Sequence, residues 1–460
     1  MEAISWFFLT IYQNLLAGGF HVFIICSVFF TTYLVALPGS MTYQECFIRN
    51  SEHCSARTFS LIDNYSYFME SFFTPRHSIA FSTDKCWYES RKRAFQALRE
   101  LGYGKNRLEE LINIESEYLI ESMNSIKGPR NNDVVSRIFA TATTNVICQL
   151  SFGMRYSYDQ PELMSLFNSV KTFFDGSFLA NLHIILPQTL RRAPLIYNQG
   201  VEDFVSAITT IRQFIRRNIR SQQQHLNSDG NDYEMNQEDC ILKSLFKHFE
   251  KEPYVENEVK IISALFDLFA GGTDTVSTTL EWGVYFLRNH QNVQKLLKTE
   301  IAENVSSDYI TISDISKLPL CHAFVLETIR FGAVVPASGP HLITKEFYAG
   351  QYIFPKGAIL DISIFCMNRD CKVFKNPDCF DINNFLVDGK VEVPSEFMPF
   401  SVGPRGCIGE RMARTEAFVF LANIVKKFRF SPINDSDYFD DNSSTYGVVR
   451  RPKHFSVNVN

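Results

Sequence analysis

A mainly α-helical single unit with small β-sheets at its edges (α+β), built around one long central helix, is the fold class this sequence predicts. Three observations predict it. Glu256 to Asn289 is apolar nearly throughout and far longer than an ordinary helix, which places it in the middle of the fold. From Asp84 onward, apolar residues recur at helical spacing in one segment after another. Beyond Phe331 the texture changes to short strand-like runs broken by Gly, Pro, Asn and Asp.

The elements follow in order. Between Glu2 and Glu45 there is no Lys, Arg, Asp or Glu, so residues 1–37 form a divergent apolar segment. Leu15 to Leu37 is long enough to cross a bilayer. It is also broken by Gly18-Gly19 and rich in β-branched and aromatic residues, which suits two buried strands equally. Residues 38–460 read as one unit, with no linker and no internal repeat. Trp87 to Leu101 is a basic amphipathic helix, and Arg107 to Ile126 puts Leu108, Leu111, Ile112, Leu119 and Met123 on one face. Asp133 is placed to cap Val134 to Leu150, and Pro161 opens a helix through Phe174. Val201 to Gln224 carries a basic polar face, His225 to Asn236 is a polar loop, and Asp239 to Glu250 is a short helix. Asn292 to Val305 and Leu320 to Phe331 are further helices. Gly350 to Ile364 reads as strand, turn and strand, with Pro355-Lys356-Gly357 as the turn. Phe374 to Glu396 is a meandering loop, a helix runs on to Lys427, and strands around loops finish the chain.

Composition limits the function. Net charge is −5, which gives no electrostatic footprint for nucleic acid. The 11 cysteines are odd in number and lack CxxC or zinc-type spacing, so a reducing compartment with one special cysteine is the reading. That cysteine is Cys407, in the glycine-rich stretch Phe400-Ser-Val-Gly403-Pro-Arg405-Gly-Cys407-Ile-Gly409 directly before a helix. A thiolate there sits at the positive end of a helix, ready for a metal or an electrophile. Phe400 is placed to shield it, and Arg405 to meet an anion.

Four further constellations are each weak alone. Gly271-Gly272-Thr273-Asp274-Thr275 interrupts the long helix. Adjacent glycines cost a helix interior about 1 kcal/mol each relative to alanine. Thr275 can bond the carbonyl one turn back and open a groove, and Asp274 supplies an acid; a helix crossing at small residues would look the same. Glu327 and Arg330 share a helix face and can pair. Trp87 and Arg91, one turn apart, are both donors suited to a carboxylate, although a basic surface helix reads alike. His341 stands alone in Ser-Gly-Pro-His341.

Taken together, these residues resemble the cytochrome P450 haem-thiolate monooxygenases. Phe400, Gly403, Arg405, Cys407 and Gly409 meet that family's cysteine pattern at every fixed position, Gly271, Gly272, Asp274 and Thr275 its small-Gly-x-acid-Thr pattern, and Glu327 and Arg330 its Glu-x-x-Arg pattern. Phe397-Met398-Pro399-Phe400 and the Pro355-Lys356-Gly357 stretch look like the animal microsomal drug- and steroid-type members. The resemblance implies a haem b (iron protoporphyrin IX) cofactor with Cys407 as its iron ligand. It implies propionate contacts at Trp87, Arg91, His341, Arg405 and Arg57, and a proton-delivering role for Thr275 and Asp274. Glu327 and Arg330 would brace the cysteine loop. The implied reaction inserts one oxygen atom of O2 into a hydrophobic substrate (fatty acid, steroid or xenobiotic). The implied electron source is an NADPH-dependent cytochrome reductase, with cytochrome b5 as an optional second donor. Membrane association at the cytoplasmic face of the endoplasmic reticulum goes with that group.

Lys85, Arg91, Lys92, Arg93, Arg411 and Arg414 would contribute a basic face for an acidic reductase, with Lys92 and Arg414 individually read as solvated. Substrate selection falls to Phe59–Phe81, Leu163–Leu190, the first half of the long helix, Val334–Ser338 and Ser444–Val449. Three departures stand out. Asn384 replaces the family's Arg or His, Val276 replaces a hydroxyl residue, and no basic stop or proline-rich hinge follows the apolar start. Spacing back from Cys407 sets Ser5–Leu16 at the first helix, Phe20–Ile25 and Tyr33–Leu37 at the first strands, and Tyr43–Asn50 in the second helix. An isomerase or dehydratase of the same fold, or a non-catalytic haem-binding member, is the alternative.

Overall fold

The computed structural model describes residues 43–57, 77–101, 106–175, 199–227, 240–249, 254–350, 352–434, 440–445 and 447–460. The proposed helix and strands before Tyr43, most of Phe59–Phe81, part of Leu163–Leu190 and most of the polar loop after His225 lie outside the described residues.

Ten helices carry the described fold: α1 (Asp84–Glu100), α2 (Asn106–Asn124), α3 (Asn132–Phe152), α4 (Pro161–Asp175), α5 (Gln199–Asn227), α6 (Ile241–Phe249), α7 (Tyr254–Asn289), α8 (Gln291–Asn304), α9 (Pro319–Gly332) and α10 (Glu410–Lys427). Shorter helical turns accompany them, including Glu45–Arg49 and Ser51–Cys54 where the second helix was expected. The 36-residue α7 is the axis, packed by α3, α4, α5, α9 and α10. Its closest approaches use glycine. A Cβ on Gly272 would stand 2.4 Å from Ile147 of α3, and one on Gly283 would stand 2.5 Å from Leu421 of α10.

Among the described residues, twelve short strands lie at the edges. Those used below are β1 (Ala56–Arg57), β2 (Gly128–Asn131), β3 (His341–Leu342), β4 (Phe347–Ala349), β5 (Tyr352–Phe354) and β6 (Ile359–Leu360). One sheet has the order β1-β3-β6, so a strand from the start of the described chain meets strands from its last third. Its register puts Arg57 opposite His341 and His341 opposite Leu360.

Two sequence expectations change. Asp133 does not cap α3: the N-cap is Asn131, and Asp133 pairs with His454 at 3.1 Å, because β2 leads straight into the helix and the cap position falls two residues earlier. The two strands around Pro355-Lys356-Gly357 both exist but do not pair with each other. β5 hairpins back onto β4 through Gly350 (φ +58°), which frees β6 to join β3.

One large apolar core surrounds α7, and a smaller one (Tyr43, Phe47, Phe347, Phe354, Met398) lies under the β-sheet side. Among the described residues, no helix is long and apolar enough to cross a membrane.

Candidate haem-thiolate site

The loop before α10 is shaped by what it must avoid. Gly403 has φ +74°, and a Cβ there would fall 1.9 Å from the carbonyl oxygen of Phe47. Only glycine fits that left-handed position against another backbone. Ser401 also has positive φ (+62°), and its hydroxyl accepts from Tyr43 Oη at 2.6 Å. Two backbone bonds close the turn, Gly406 N–H to Gly403 O (3.0 Å) and Cys407 N–H to Phe400 O (2.8 Å). Arg91 of α1 ties the loop from outside, donating to Gly406 O at 2.5 Å.

Cys407 is enclosed by protein, yet it keeps accessible surface because its side chain opens onto an internal cavity of about 400 Å³. Burial pushes its thiol up, while the N–H groups of Gly409 and Glu410 and the nearby Arg91 favour the thiolate. Coordination to a metal would settle that balance by removing the proton outright.

The opposite wall is α7. Gly271 faces open space, with nothing within 4 Å of where its Cβ would be. Thr275 Oγ1 donates to Gly271 O at 2.7 Å, and both residues line the cavity. The two glycines therefore divide two tasks: Gly272 admits Ile147 of the neighbouring helix, and Gly271 leaves the cavity open. Asp274 does not line the cavity. Consecutive helical residues point about 100° apart, and its buried carboxylate turns to Arg451, whose Nη2 donates to Oδ2 at 2.6 Å. Arg451 also bonds Thr278 (2.6 Å) and Asp175 (3.3 Å), while Asp274 Oδ1 has no hydrogen-bond partner.

The five expected carboxylate donors gather beside Cys407. Arg405 is buried, stacks 4.0 Å over the Trp87 ring, and donates to the carbonyls of Ser55 (2.8 Å) and Ser82 (2.7 Å). Burial, with Arg57 and Arg91 close by, lowers it to about 8. Arg57 is brought down to about 10 by burial, with Asp361 opposing. Arg57 and Arg91 thus lie close enough to Arg405 to repel it. Trp87 Nε1 is buried with no hydrogen-bond partner at all. An unmet donor among crowded cations is what a site for paired carboxylates presents before they arrive. Arg57 and Arg405 reach the cavity wall, whereas Trp87, Arg91 and His341 stand behind it. His341 is buried edge-on to Phe47 (4.4 Å), with Nδ1 2.7 Å from Cys54 O, and burial followed by Arg57 drops it to about 2. It is neutral until an anion arrives.

Glu327 and Arg330 form a fully buried bidentate pair, both bonds 2.7 Å. They brace the meander directly rather than the cysteine loop. Arg330 donates to the carbonyls of Asn368, Pro377 and Cys379, and Glu327 accepts from Asp381 N–H and from Asn384 Nδ2 at 3.2 Å. Asn384 thus stands in as a neutral third partner. The link to the sulfur loop runs through meander aromatics, Phe385 packing on Phe397 at 4.9 Å.

Of the proposed selectivity segments, Ala80 and Phe81, Phe173 and Phe174, the first half of α7 and Val334–Ser338 supply cavity wall. The described residues of Ser444–Val449 supply none: Val449 is in the core, and Val448 faces outward at 51% exposure. The expected basic face is partly neutralised, since Lys85 pairs with Glu89, Arg411 with Glu109, and Arg414 with Glu410. Sequence reasoning missed Asp267, a carboxylate on the cavity wall. Its signal was an acid in the apolar run Leu265-Phe266-Asp267-Leu268-Phe269.

A family model described as Cytochrome P450 matches residues 24–459. Cytochrome P450 1A1 of Pleuronectes platessa is 31% identical over 449 residues, covering 91% of this chain and 81% of that protein. Cytochrome P450 2J3 of Rattus norvegicus is 28% identical over 365 residues, covering 78% and 70%. In shape, the chain is similar to a zebrafish cytochrome P450 solved with progesterone, with TM-score 0.75, 23% identity and 94% of each chain covered.

Proposed function

Since the chain belongs to the cytochrome P450 family, whose members are monooxygenases that hold haem b through a cysteine thiolate, we propose that Cys407 is that thiolate and that a hydrophobic substrate is oxidised in the cavity it faces. The observation that carries this reading is the opening of Cys407 onto a largely apolar cavity whose other wall is the Gly271–Thr275 groove.

Bound haem supplies the activation of O2, from which one oxygen atom enters the substrate. The chain's own residues do the rest. Arg405 and Arg57 would neutralise the cofactor's carboxylates, and Trp87 Nε1, Arg91 and His341 would add hydrogen bonds to them. Phe400 and the N–H groups of Gly409 and Glu410 shield and stabilise the sulfur charge. Gly271 leaves room at the helix wall. Thr275 holds a proton at Oγ1 beside the cavity, whereas Asp274, expected to share that role, is turned away to Arg451. Glu327 and Arg330 hold the meander against which the loop packs.

Electrons come from a partner; an NADPH-dependent cytochrome reductase, with cytochrome b5 as a second donor, fits the basic helix α1, where Lys92 and Arg93 lie. Attachment to the cytoplasmic face of the endoplasmic reticulum membrane is part of the same reading.

The test is the spectrum of the purified protein, reduced and bound to carbon monoxide. A band at the haem-thiolate position that Cys407→Ala abolishes is expected, and a histidine-type band in the wild type removes the assignment. NADPH consumption with added reductase then separates monooxygenation from isomerisation or dehydration and from a non-catalytic haem protein.

A further inference from the structure

Ser401 and Gly403 both have positive φ (+62° and +74°) in the loop that leads to Cys407. Glycine enters that region freely, whereas a serine there is strained. Such strain persists only where the surroundings hold it. One side chain is placed to do so. Tyr43, fully buried, donates its phenol proton to Ser401 Oγ at 2.6 Å. The backbone N–H of Val402 reaches the same phenol oxygen, so one hydroxyl holds two consecutive residues of the turn. Burial pushes the phenol up, which keeps it protonated and a donor. Its ring packs against Phe47 at 5.0 Å, and the carbonyl oxygen of Phe47 is the atom that Gly403 passes so closely.

What this clamp controls lies one residue earlier. The carbonyl of Phe400 accepts the N–H of Cys407 at 2.8 Å, and Phe400, Ser401 and Cys407 share the cavity wall. The backbone turns only at its φ and ψ angles, so a rotation at Ser401 swings Phe400 relative to Val402 and all that follows, Cys407 included. The bond that closes the loop then loosens, and the Phe400 ring leaves its place. Hydrogen bonding and solvent access around a ligating sulfur tune the metal it holds. We propose that Tyr43 is a positioning residue for the sulfur: by clamping Ser401 in a glycine-like conformation it holds Phe400 on Cys407, and so sets how strongly Cys407 donates to iron. The proposal rests on reading Cys407 as the thiolate ligand.

Tyr43→Phe keeps the ring and removes the clamp. The full, haem-loaded protein is measured for its ferric–ferrous midpoint potential and for the rate at which it releases haem to apomyoglobin. The variant is expected to have a more positive potential, because a loosened Phe400 admits water to the sulfur. It is expected to release haem about fivefold faster, the factor that one lost hydrogen bond carries. Ser401→Gly separates positioning from a merely structural role. Glycine takes the left-handed angle without help, so Ser401→Gly and the double variant Tyr43→Phe, Ser401→Gly are expected to have the same potential. A wild-type potential and release rate in Tyr43→Phe, or the same shift from Tyr43→Phe in both backgrounds, overturns the proposal. Should Tyr43→Phe alone fail to retain haem, the double variant is expected to regain it, and a double variant that does not regain it overturns the proposal as well. The carbon monoxide spectrum of the same samples reports separately on Cys407. A thiolate band with an unmoved potential removes only the role of Tyr43; a histidine-type band in wild type removes the thiolate reading and this proposal with it.

Discussion

Replacing Glu327 by glutamine keeps its shape and removes its charge, which leaves Arg330 buried without a counter-ion. Both side chains are fully buried, and the two bonds between them are 2.7 Å. Removing one member of such a pair costs about 3–5 kcal/mol. Arg330→Met strands Glu327 instead and also deprives the carbonyls of Asn368, Pro377 and Cys379 of their donor. The double variant Glu327→Gln, Arg330→Met leaves no stranded charge, so it should be more stable than the summed single losses imply, by about 2 kcal/mol. Asn384→Ala removes one 3.2 Å bond to Glu327 and two bonds with the Asn376 backbone at a half-buried site, which amounts to about 1–2 kcal/mol. Urea unfolding followed by tryptophan fluorescence measures all four variants. The order Glu327→Gln well above Asn384→Ala, with non-additivity in the pair, is the expected result. A Glu327→Gln loss below about 1 kcal/mol, or single losses that simply add, refutes the argument that a buried charge pair holds the meander.

Three further outcomes follow from the geometry. Gly403→Ala puts a methyl 1.9 Å from Phe47 O and should cost at least about 2 kcal/mol with loss of bound haem, measured by urea midpoint and haem absorbance; a normal haem content contradicts the fit. Thr275→Ala should raise the share of reducing equivalents lost as peroxide more than it weakens substrate binding, and unchanged coupling removes the proton role from Thr275. Glu281, buried on α7 and bonded by Ser136, has its carboxyl pushed up to about 7 by burial. Its folded form holds the proton more tightly than the unfolded chain does. The stabilisation is therefore complete below about pH 4.5 and lost as pH rises through about 7, at about 1.4 kcal/mol per pH unit between. Glu281→Gln should flatten that part of the stability curve, whereas parallel curves for variant and wild type refute the assignment.

Much of this was legible in the sequence because the informative spacings are local. Thr275 to Gly271, Glu327 to Arg330 and the Cys407 loop each span a few residues, and helix geometry or glycine chemistry fixes their relation. The reading of Asp274 with Thr275 fails for a physical reason: the two are consecutive, but consecutive helical residues point about 100° apart, and the Asp274 carboxylate meets Arg451 instead. What no local pattern carried was the register of β1 on β3, which pairs Arg57 with His341 across most of the chain. Asn384's rescue by geometry was equally hidden, since its value depends on a 3.2 Å approach to Glu327. The partners of the Pro355 turn strands were hidden for the same reason: a hairpin signal says that chain reverses, not which neighbour it reverses onto.

The seat of Gly403 against Phe47 sets an order of assembly. Tyr43 bonds Ser401 across 358 positions, and Arg405 bonds Ser55 O across 350. During synthesis the N-terminal side of these contacts emerges first and waits roughly 20–70 s, at about 5–20 residues per second, for the loop that completes it. The sulfur-bearing turn is thus among the last structures the ribosome allows to close, and the cofactor has no finished seat on the nascent chain. A chain stalled before Gly403 lacks the cysteine loop and α10, so its haem is expected to remain free.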